Sequence, residues 1–289
     1  MNIEQTKKYI EKYQLSLSKS LGQNFLINDE KLRKIVQCAD LTEEDLVIEI
    51  GPGIGTLSLE IAQKCGKLIL VEIDSQLIPV LEEVFEGSEK IEIIHDDALD
   101  IDFNELCIFK MQQHPELKKI KIVANLPYYI TTPIITKLLL SLPHCERMVF
   151  TIQKEAADRI VSTTRKKEYG ILSVLSQFYS NPQIEDLLLP NCFLPQPTVT
   201  SCIIVMKRRE PFPTERESLR FFLKVVQASF NQRRKTLLNS LGGSGMVPGG
   251  KTALEEILLS DNISIKCRAE ELTYLQFLAI SEKIILLNT

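Results

Sequence analysis

Between positions 46 and 152 the apolar residues follow two alternating rhythms. Short β-rich runs occur at 46–50, 68–72, 91–95, 121–124 and 148–152. The stretches between them space their apolar positions three and four apart, as a helix with one buried face does. Repeats of this kind predict a parallel sheet with helices packed on it. The first intervening helix is expected from Thr56 to Cys65, with Gly66 suited to the turn that ends it. A later one is expected to start with Thr132 as N-cap and Pro133 in its first turn, and to stop near Pro143. Runs at 184–189 and 201–207 can close the sheet as an antiparallel pair, which makes seven strands.

Past Pro211 and Pro213 the strand rhythm ends, and 219–241, 253–260 and 270–287 read as helical. The expected organisation is therefore an α/β domain over residues 1–210 and a small all-α domain over 211–289. The glycines between Gly242 and Gly250 lack the preceding strand and following Gly-Lys-Ser/Thr of a phosphate-binding loop, so they read as a connection between helices.

Composition narrows the class. Hydrophobic residues at 44% and charged residues at 25% suit a globular protein. No apolar run has the length of a membrane helix, and the first residues mix Glu4 and Glu11 with lysines, unlike a signal peptide. A cytoplasmic protein is expected. Cys38, Cys65, Cys107, Cys145, Cys192, Cys202 and Cys267 show no close pairing, and His95, His114 and His144 are scattered, so no disulfide framework and no metal are expected. A net charge of −4 weighs against nucleic acid as a partner of the whole surface. Basic clusters at Lys118-Lys119-Lys121, Arg165-Lys166-Lys167, Lys207-Arg208-Arg209 and Arg233-Arg234-Lys235 leave local contacts open.

The first strand leads through Glu49-Ile50-Gly51-Pro52-Gly53-Ile54-Gly55 into a helix, so Gly51 and Gly53 allow a tight turn and close approach of a ligand to the backbone. Taken alone, such a turn serves NAD, FAD, S-adenosylmethionine (SAM) or simple packing. Glu72 ends the second strand, where a carboxylate can accept both hydroxyls of a ribose, and Asp97 follows the third, where it can accept from an adenine amine. Together they describe an adenosine pocket. The spacing G-x-G-x-G matches a dinucleotide site less well than G-x-G-x-x-G.

The fourth strand runs into Asn125-Leu126-Pro127-Tyr128. An adenine amine is a poor nucleophile because its lone pair is delocalised into the ring. Hydrogen bonds from that amine to the Asn125 side-chain oxygen and the Leu126 carbonyl would hold it, favour a tetrahedral nitrogen and aim it at a methyl donor. Pro127 fixes the turn, and Tyr128 can stack on a base that is unpaired or flipped out. The same four residues also suit an ordinary turn.

The chain resembles the ribosomal RNA adenine N6,N6-dimethyltransferase family, within it the bacterial small-subunit, kasugamycin-resistance type. The resemblance spans nearly the whole chain through Leu21-Gly22-Gln23-Asn24-Phe25-Leu26, the glycine turn, Asn125-Leu126-Pro127-Tyr128, Gln153-Lys154-Glu155, Tyr169-Gly170, Phe193-Leu194-Pro195-Gln196-Pro197 and the segment from Phe230 to Leu237. It implies a Rossmann-like class I SAM-dependent methyltransferase sheet. It also implies that Asn24, Leu26, Gly51, Gly53, Glu72, Asp97 and Asn125 line the SAM site, and that Tyr128 and Phe193 sandwich the target adenine. The implied substrate is a pair of adjacent adenosines in the 3′-terminal hairpin loop of 16S rRNA, met in an immature small ribosomal subunit. Of the basic clusters, Arg233-Arg234-Lys235, expected on a helix of the second domain, is the RNA-binding candidate, though it also suits a plain helix surface, and a monomer is expected. The chain departs from the family pattern at Thr198-Val199-Thr200-Ser201 and around Thr164 to Lys167.

Three other readings stand beside this one. Macrolide-resistance methyltransferases of large-subunit rRNA tend to have Ile where Leu126 stands and Ser where Gly22 stands. A non-catalytic assembly factor would bind without turnover, against which the intact Asn125 motif speaks. An NAD-dependent dehydrogenase lacks a hydride-relay histidine in a suitable motif.

Overall fold

The structure is a computed structural model and describes residues 3–15, 24–142, 144–209 and 216–287. Leu21, Gly22, Gln23, Pro143, Pro211 and Pro213 lie outside the described residues. The strands are β1 Phe25–Leu26, β2 Asp45–Ile50, β3 Lys67–Glu72, β4 Ile91–His95, β5 Lys119–Asn125, β6 Cys145–Gln153, β7 Ser180–Leu188, β8 Phe193–Leu194 and β9 Ser201–Arg208. The helices are α1 Ile3–Lys12, α2 Asp29–Ala39, α3 Thr56–Ala62, α4 Ile78–Val84, α5 Phe103–Gln113, α6 Thr131–Ser141, α7 Lys154–Val161, α8 Ile171–Tyr179, α9 Arg216–Phe230, α10 Leu237–Ser240, α11 Gly250–Ser260 and α12 Tyr274–Leu286.

Seven strands form one sheet in the order β4-β3-β2-β5-β6-β9-β7. β4, β3, β2, β5 and β6 run parallel, and β9 runs antiparallel to β6. This is the seven-stranded α/β sheet that the sequence predicts. All six residues of β2 are buried, as expected for a central parallel strand covered on both faces. Val47, Leu68, Leu70 and Val123 of the sheet form a core with Leu32, Ile35 and Ala39 of α2 and Leu57 and Ile61 of α3. α2 starts cleanly because the Asn28 side chain accepts from Lys31 N. At the amino edge of the sheet, Asp45 Oδ2 accepts from Lys121 Nζ at 2.9 Å and from Thr42 N at 2.6 Å, both charged side chains being fully buried. Lys121 Nζ also donates to Asp40 O. Lys121 is thus a register-fixing core residue, not part of a solvated basic cluster, and Lys119 pairs with Glu146 at 3.1 Å.

Helix ends differ from the sequence expectation in several places: α3 ends at Ala62 with Gln63 as C-cap, not at Cys65, and α11 begins at Gly250, ahead of the expected start at 253. α6 begins at Thr131 with Ile130 as N-cap, two residues ahead of the expected Thr132 cap, because a short 3-10 turn at Tyr128–Ile130 runs straight into it. The single helix expected over 219–241 is broken: α9 ends at Phe230, and six residues intervene before α10, so Arg233, Arg234 and Lys235 lie in a turn instead of on a helix. The helix expected from 270 begins at Tyr274, where Thr273 accepts from Gln276 N and forms a capping box with it.

Two compact units emerge, Met1–Ala157 with Pro182–Arg208, and Asp158–Asn181 with Arg209–Thr289. Residues 158–181, which reading along the chain puts in the 1–210 portion, fall with the C-terminal helices. The reason is aromatic packing: Phe178 of α8 lies 4.4 Å from Phe222 of α9 and 6.4 Å from Tyr274 of α12, ring centre to ring centre. Among the described residues no helix is long and apolar enough to cross a membrane. No disulfide joins any two of the seven cysteines, and all but Cys38 are buried.

Candidate cofactor and base site

In an open parallel sheet ligands collect at the carboxyl ends of the strands, where neighbouring connections leave in opposite directions. Here that point lies between β2 and β5, and a cleft of about 890 Å³, open to solvent, sits there. The ends of β2, β3 and β5, the loop after β4 and the β1 segment supply its walls.

Each expected cofactor residue, Asn24, Leu26, Gly51, Gly53, Glu72, Asp97 and Asn125, lines this cleft. Gly51 and Gly53 have φ of +68° and +61°, which side-chain-bearing residues rarely adopt. A Cβ on Gly53 would stand 2.8 Å from the Phe25 ring, and one on Gly51 3.3 Å from Pro127. The glycines therefore keep the cradle free for a ligand and let it close against β1 and the β5 turn. Glu72, only 5% exposed, accepts from Gly53 N at 3.3 Å through one oxygen and from Asp74 N at 2.9 Å through the other. Each oxygen keeps capacity for a second donor, as a ribose diol would supply. Burial raises its carboxyl to about 7, against the opposing backbone donors of Asp74 and Gly53. Asp97 commits one oxygen to Leu99 N at 2.8 Å, which shapes the loop after β4.

Sequence reasoning passed over Glu49. It lines the cleft, is 1% exposed, and its Oε2 has no hydrogen-bond partner among the described residues. Burial, with the Glu72 carboxylate nearby, raises it to about 8. An acid inside the apolar run Val47-Ile48-Glu49-Ile50, directly before the glycine turn, was the available signal. Phe25, Leu77 and Tyr129 also line the cleft, and Tyr129 is half exposed. Phe25 and Leu77 belong to an apolar cluster with Tyr9, Ile10, Tyr13 and Leu15 of the N-terminal segment.

Asn125, Leu126, Pro127 and Tyr128 also face the cleft, at the end of β5. Asn125 Nδ2 donates to the Asn24 carbonyl at 2.9 Å; a carbonyl only accepts, so the side-chain amide is oriented with its oxygen away from Asn24. Leu126 N donates to Thr151 O at 3.1 Å, tying the turn to β6. The Tyr128 hydroxyl bonds the Ser201 hydroxyl at 2.8 Å, and burial raises its pKa.

Phe193 stands apart. Its ring is 1% exposed within the core cluster that includes Leu26 and Leu32, and it does not line the cleft. The cause is the antiparallel pairing of β1 with β8, which sets Leu26 opposite Phe193. In this conformation the expected pair of rings on one base is not assembled, and only Tyr128 of the two presents to the cleft. Arg233, in the C-terminal unit, donates to the carbonyls of Lys167 at 3.0 Å and Tyr169 at 3.2 Å and pairs with Glu270 at 3.3 Å, while Arg234 and Lys235 are exposed. Among the described residues no group of His, Cys, Asp and Glu could hold a metal ion.

A family profile described as Ribosomal RNA adenine dimethylase matches residues 14–286. The ribosomal RNA small subunit methyltransferase A of Clostridium perfringens is 41% identical over 279 residues, covering 96% of this chain and 94% of its own length. The protein of the same name from a Geobacillus species is 42% identical over 280 residues, with 96% and 94% covered. In fold, the chain is similar to a dimethyladenosine transferase from Plasmodium falciparum, with a TM-score of 0.73 at 24% identity over 89% of this chain and 95% of that one.

Proposed function

The chain belongs to the ribosomal RNA adenine dimethylase family, and we propose that it transfers methyl groups from SAM to N6 of adenines in small-subunit rRNA, giving N6,N6-dimethyladenosine. The observation that carries this reading is the meeting, in one cleft, of the Gly51–Gly53 cradle, Glu72 and Asp97 with the oriented amide of Asn125.

SAM fits these residues: the glycines leave room a Cβ would fill, and Glu49 and Glu72 offer buried carboxylate oxygens to a cationic ligand. When bound, SAM supplies an electrophilic methyl group. Glu72 would accept the ribose hydroxyls and Asp97 the adenine amine of the cofactor. Asn125 Oδ1 and the Leu126 carbonyl would accept hydrogen bonds from the target amine, localising its lone pair and aiming it. Tyr128 would stack on the target base, which has to leave its own stack to enter. No side chain need remove the proton before transfer, because the methylated amine is acidic enough to lose it to water.

Within this function, the substrate is taken to be two adjacent adenosines in the 3′-terminal hairpin loop of 16S rRNA, in an immature small subunit, modified by a monomer in the cytoplasm. Loops expose unpaired bases, which suits the pocket. Exposed Arg234 and Lys235 are the proposed phosphate contacts, with the C-terminal helical unit as the particle-binding part.

The test is nucleoside mass spectrometry of rRNA from each subunit after incubation of the purified chain with SAM and immature particles. Dimethyladenosine at two neighbouring positions of small-subunit rRNA is expected. Label confined to large-subunit rRNA would overturn the proposal in favour of a macrolide-resistance activity, and binding without label in favour of an assembly factor.

A further inference from the structure

We propose that Ser201 is a positioning residue for the Tyr128 ring, setting the plane against which the target base is held. The inference rests on the reading of Tyr128 as the base-stacking side chain.

Tyr128 sits on a single 3-10 turn between β5 and α6, a short connection with its ring at the edge of an open cleft. A ring in such a place turns about two side-chain torsions and populates several staggered wells unless something holds its tip. Ser201 supplies that hold. Its hydroxyl meets the phenol oxygen at 2.8 Å, from 73 residues further along the chain. Ser201 is fully buried and its main chain is fixed: it pairs with Gln153 at the end of β6, and the neighbouring Lys154 N donates to Thr200 O at 3.0 Å.

The phenol is therefore referenced to the sheet, not to its own loop. Asn125 belongs to the same sheet, with Thr151 of β6 as its register partner. Both groups proposed to grip the base are thus tied to one sheet, the Asn125 amide at the end of β5 and the Tyr128 ring through Ser201 of β9, with β6 between them. A stacked adenine would present its amine to Asn125 at a fixed height, which matters because displacement of a reacting group by about 1 Å lowers rates sharply. The segment Thr198-Val199-Thr200-Ser201, at which the chain departs from the family pattern, then acts on the base through Tyr128, without touching it.

The experiment compares the full chain with Tyr128→Phe, Ser201→Ala, the double variant and Tyr128→Ala, using immature small-subunit particles and labelled SAM. Loss of one ordinary hydrogen bond predicts that Tyr128→Phe and Ser201→Ala each lower kcat/KM for the particle by about 3- to 10-fold. The double variant should be no worse than either single one, since both remove the same bond. SAM affinity and thermal midpoint should stay at wild-type values in Ser201→Ala. Multiplying effects in the double variant, or an equal loss of SAM affinity in Ser201→Ala, would overturn the inference. So would a neutral Ser201→Ala beside an impaired Tyr128→Ala, and that result leaves the stacking role of Tyr128 standing. Wild-type activity in Tyr128→Ala would instead remove the stacking role and the inference with it.

Discussion

The side-chain amide of Asn125 donates to the backbone carbonyl of Asn24 across 2.9 Å, joining the end of β5 to the residue just before β1. One bond thereby does two things. It orients the Asn125 oxygen as the remaining acceptor, and it draws the 24–26 segment against the cleft whose other wall is the glycine turn. The group proposed to grip the target amine is held by a segment proposed to line the cofactor site.

Replacing Asn125 by alanine is expected to lower methyl transfer by roughly 100-fold or more, since the lost acceptor acts on the reacting nitrogen. SAM binding should weaken only modestly. Single-turnover assays with labelled SAM, beside calorimetric titration of SAM, separate the two effects, and wild-type turnover would contradict the proposed mechanism.

Glu72→Ala is expected to weaken SAM binding by roughly 10- to 100-fold, the range for hydrogen bonds to a charged group. In the wild-type protein the ionised carboxylate is the better acceptor, and burial holds its pKa at about 7. Affinity should therefore rise from pH 6 to pH 8. A pH-independent titration curve would contradict the assignment.

Stability of the ligand-free protein should move the other way. Glu49 and Glu72 are raised from 4.5 to about 8 and about 7 in the folded chain. Between these limits the native state keeps protons that the unfolded state has released, so stability falls as pH rises. The contribution is complete below the unfolded value of 4.5 and lost as pH passes through about 8. Glu49→Gln should raise the melting temperature at pH 8 relative to wild type and change it little at pH 4.5. Calorimetric scans across this range check it, and a wild-type midpoint that climbs steadily from pH 5 to pH 8 would oppose it.

Lys121→Met is expected to destabilise the fold by roughly 3–5 kcal/mol, because it leaves the Asp45 carboxylate buried without its cation. Adding Asp45→Leu should recover most of that loss. Urea denaturation of the single and double variants reads this directly, and a single variant within 1 kcal/mol of wild type would show the pair to be less buried than it is here.

Gly53→Ala should impair SAM binding more than folding, since its Cβ meets the Phe25 ring at 2.8 Å and its φ of +61° is strained for alanine. The displaced ring would open β1 away from the cradle. Parallel SAM titration and thermal melts distinguish this from general unfolding.

Much of the architecture was legible because the signals are local. Strands at 46–50, 68–72 and 91–95 are short buried runs between turns, and each emerges within a residue of its expected limits. Glu72, Asp97 and Asn125 follow strands directly, so a parallel sheet carries them to one edge whatever the details of packing. The expected helix over 219–241 failed because periodicity does not register the break that places Arg233 against Tyr169 and Glu270.

By itself, then, the sequence determined the seven-stranded sheet and the carboxyl-edge position of Gly51, Gly53, Glu72, Asp97 and Asn125, which follow from residue type and spacing, while the adenine-amine role of Asn125 is the one proposed above. Only the tertiary structure decided which long-range partners complete the site. Glu49 becomes a cleft residue through burial, Ser201 meets Tyr128 across 73 residues, and Phe193 is withdrawn into the core by the pairing of β1 with β8. Those outcomes depend on how distant segments share one low-dielectric interior, where an unpaired oxygen or a tethered ring has consequences that no local pattern records.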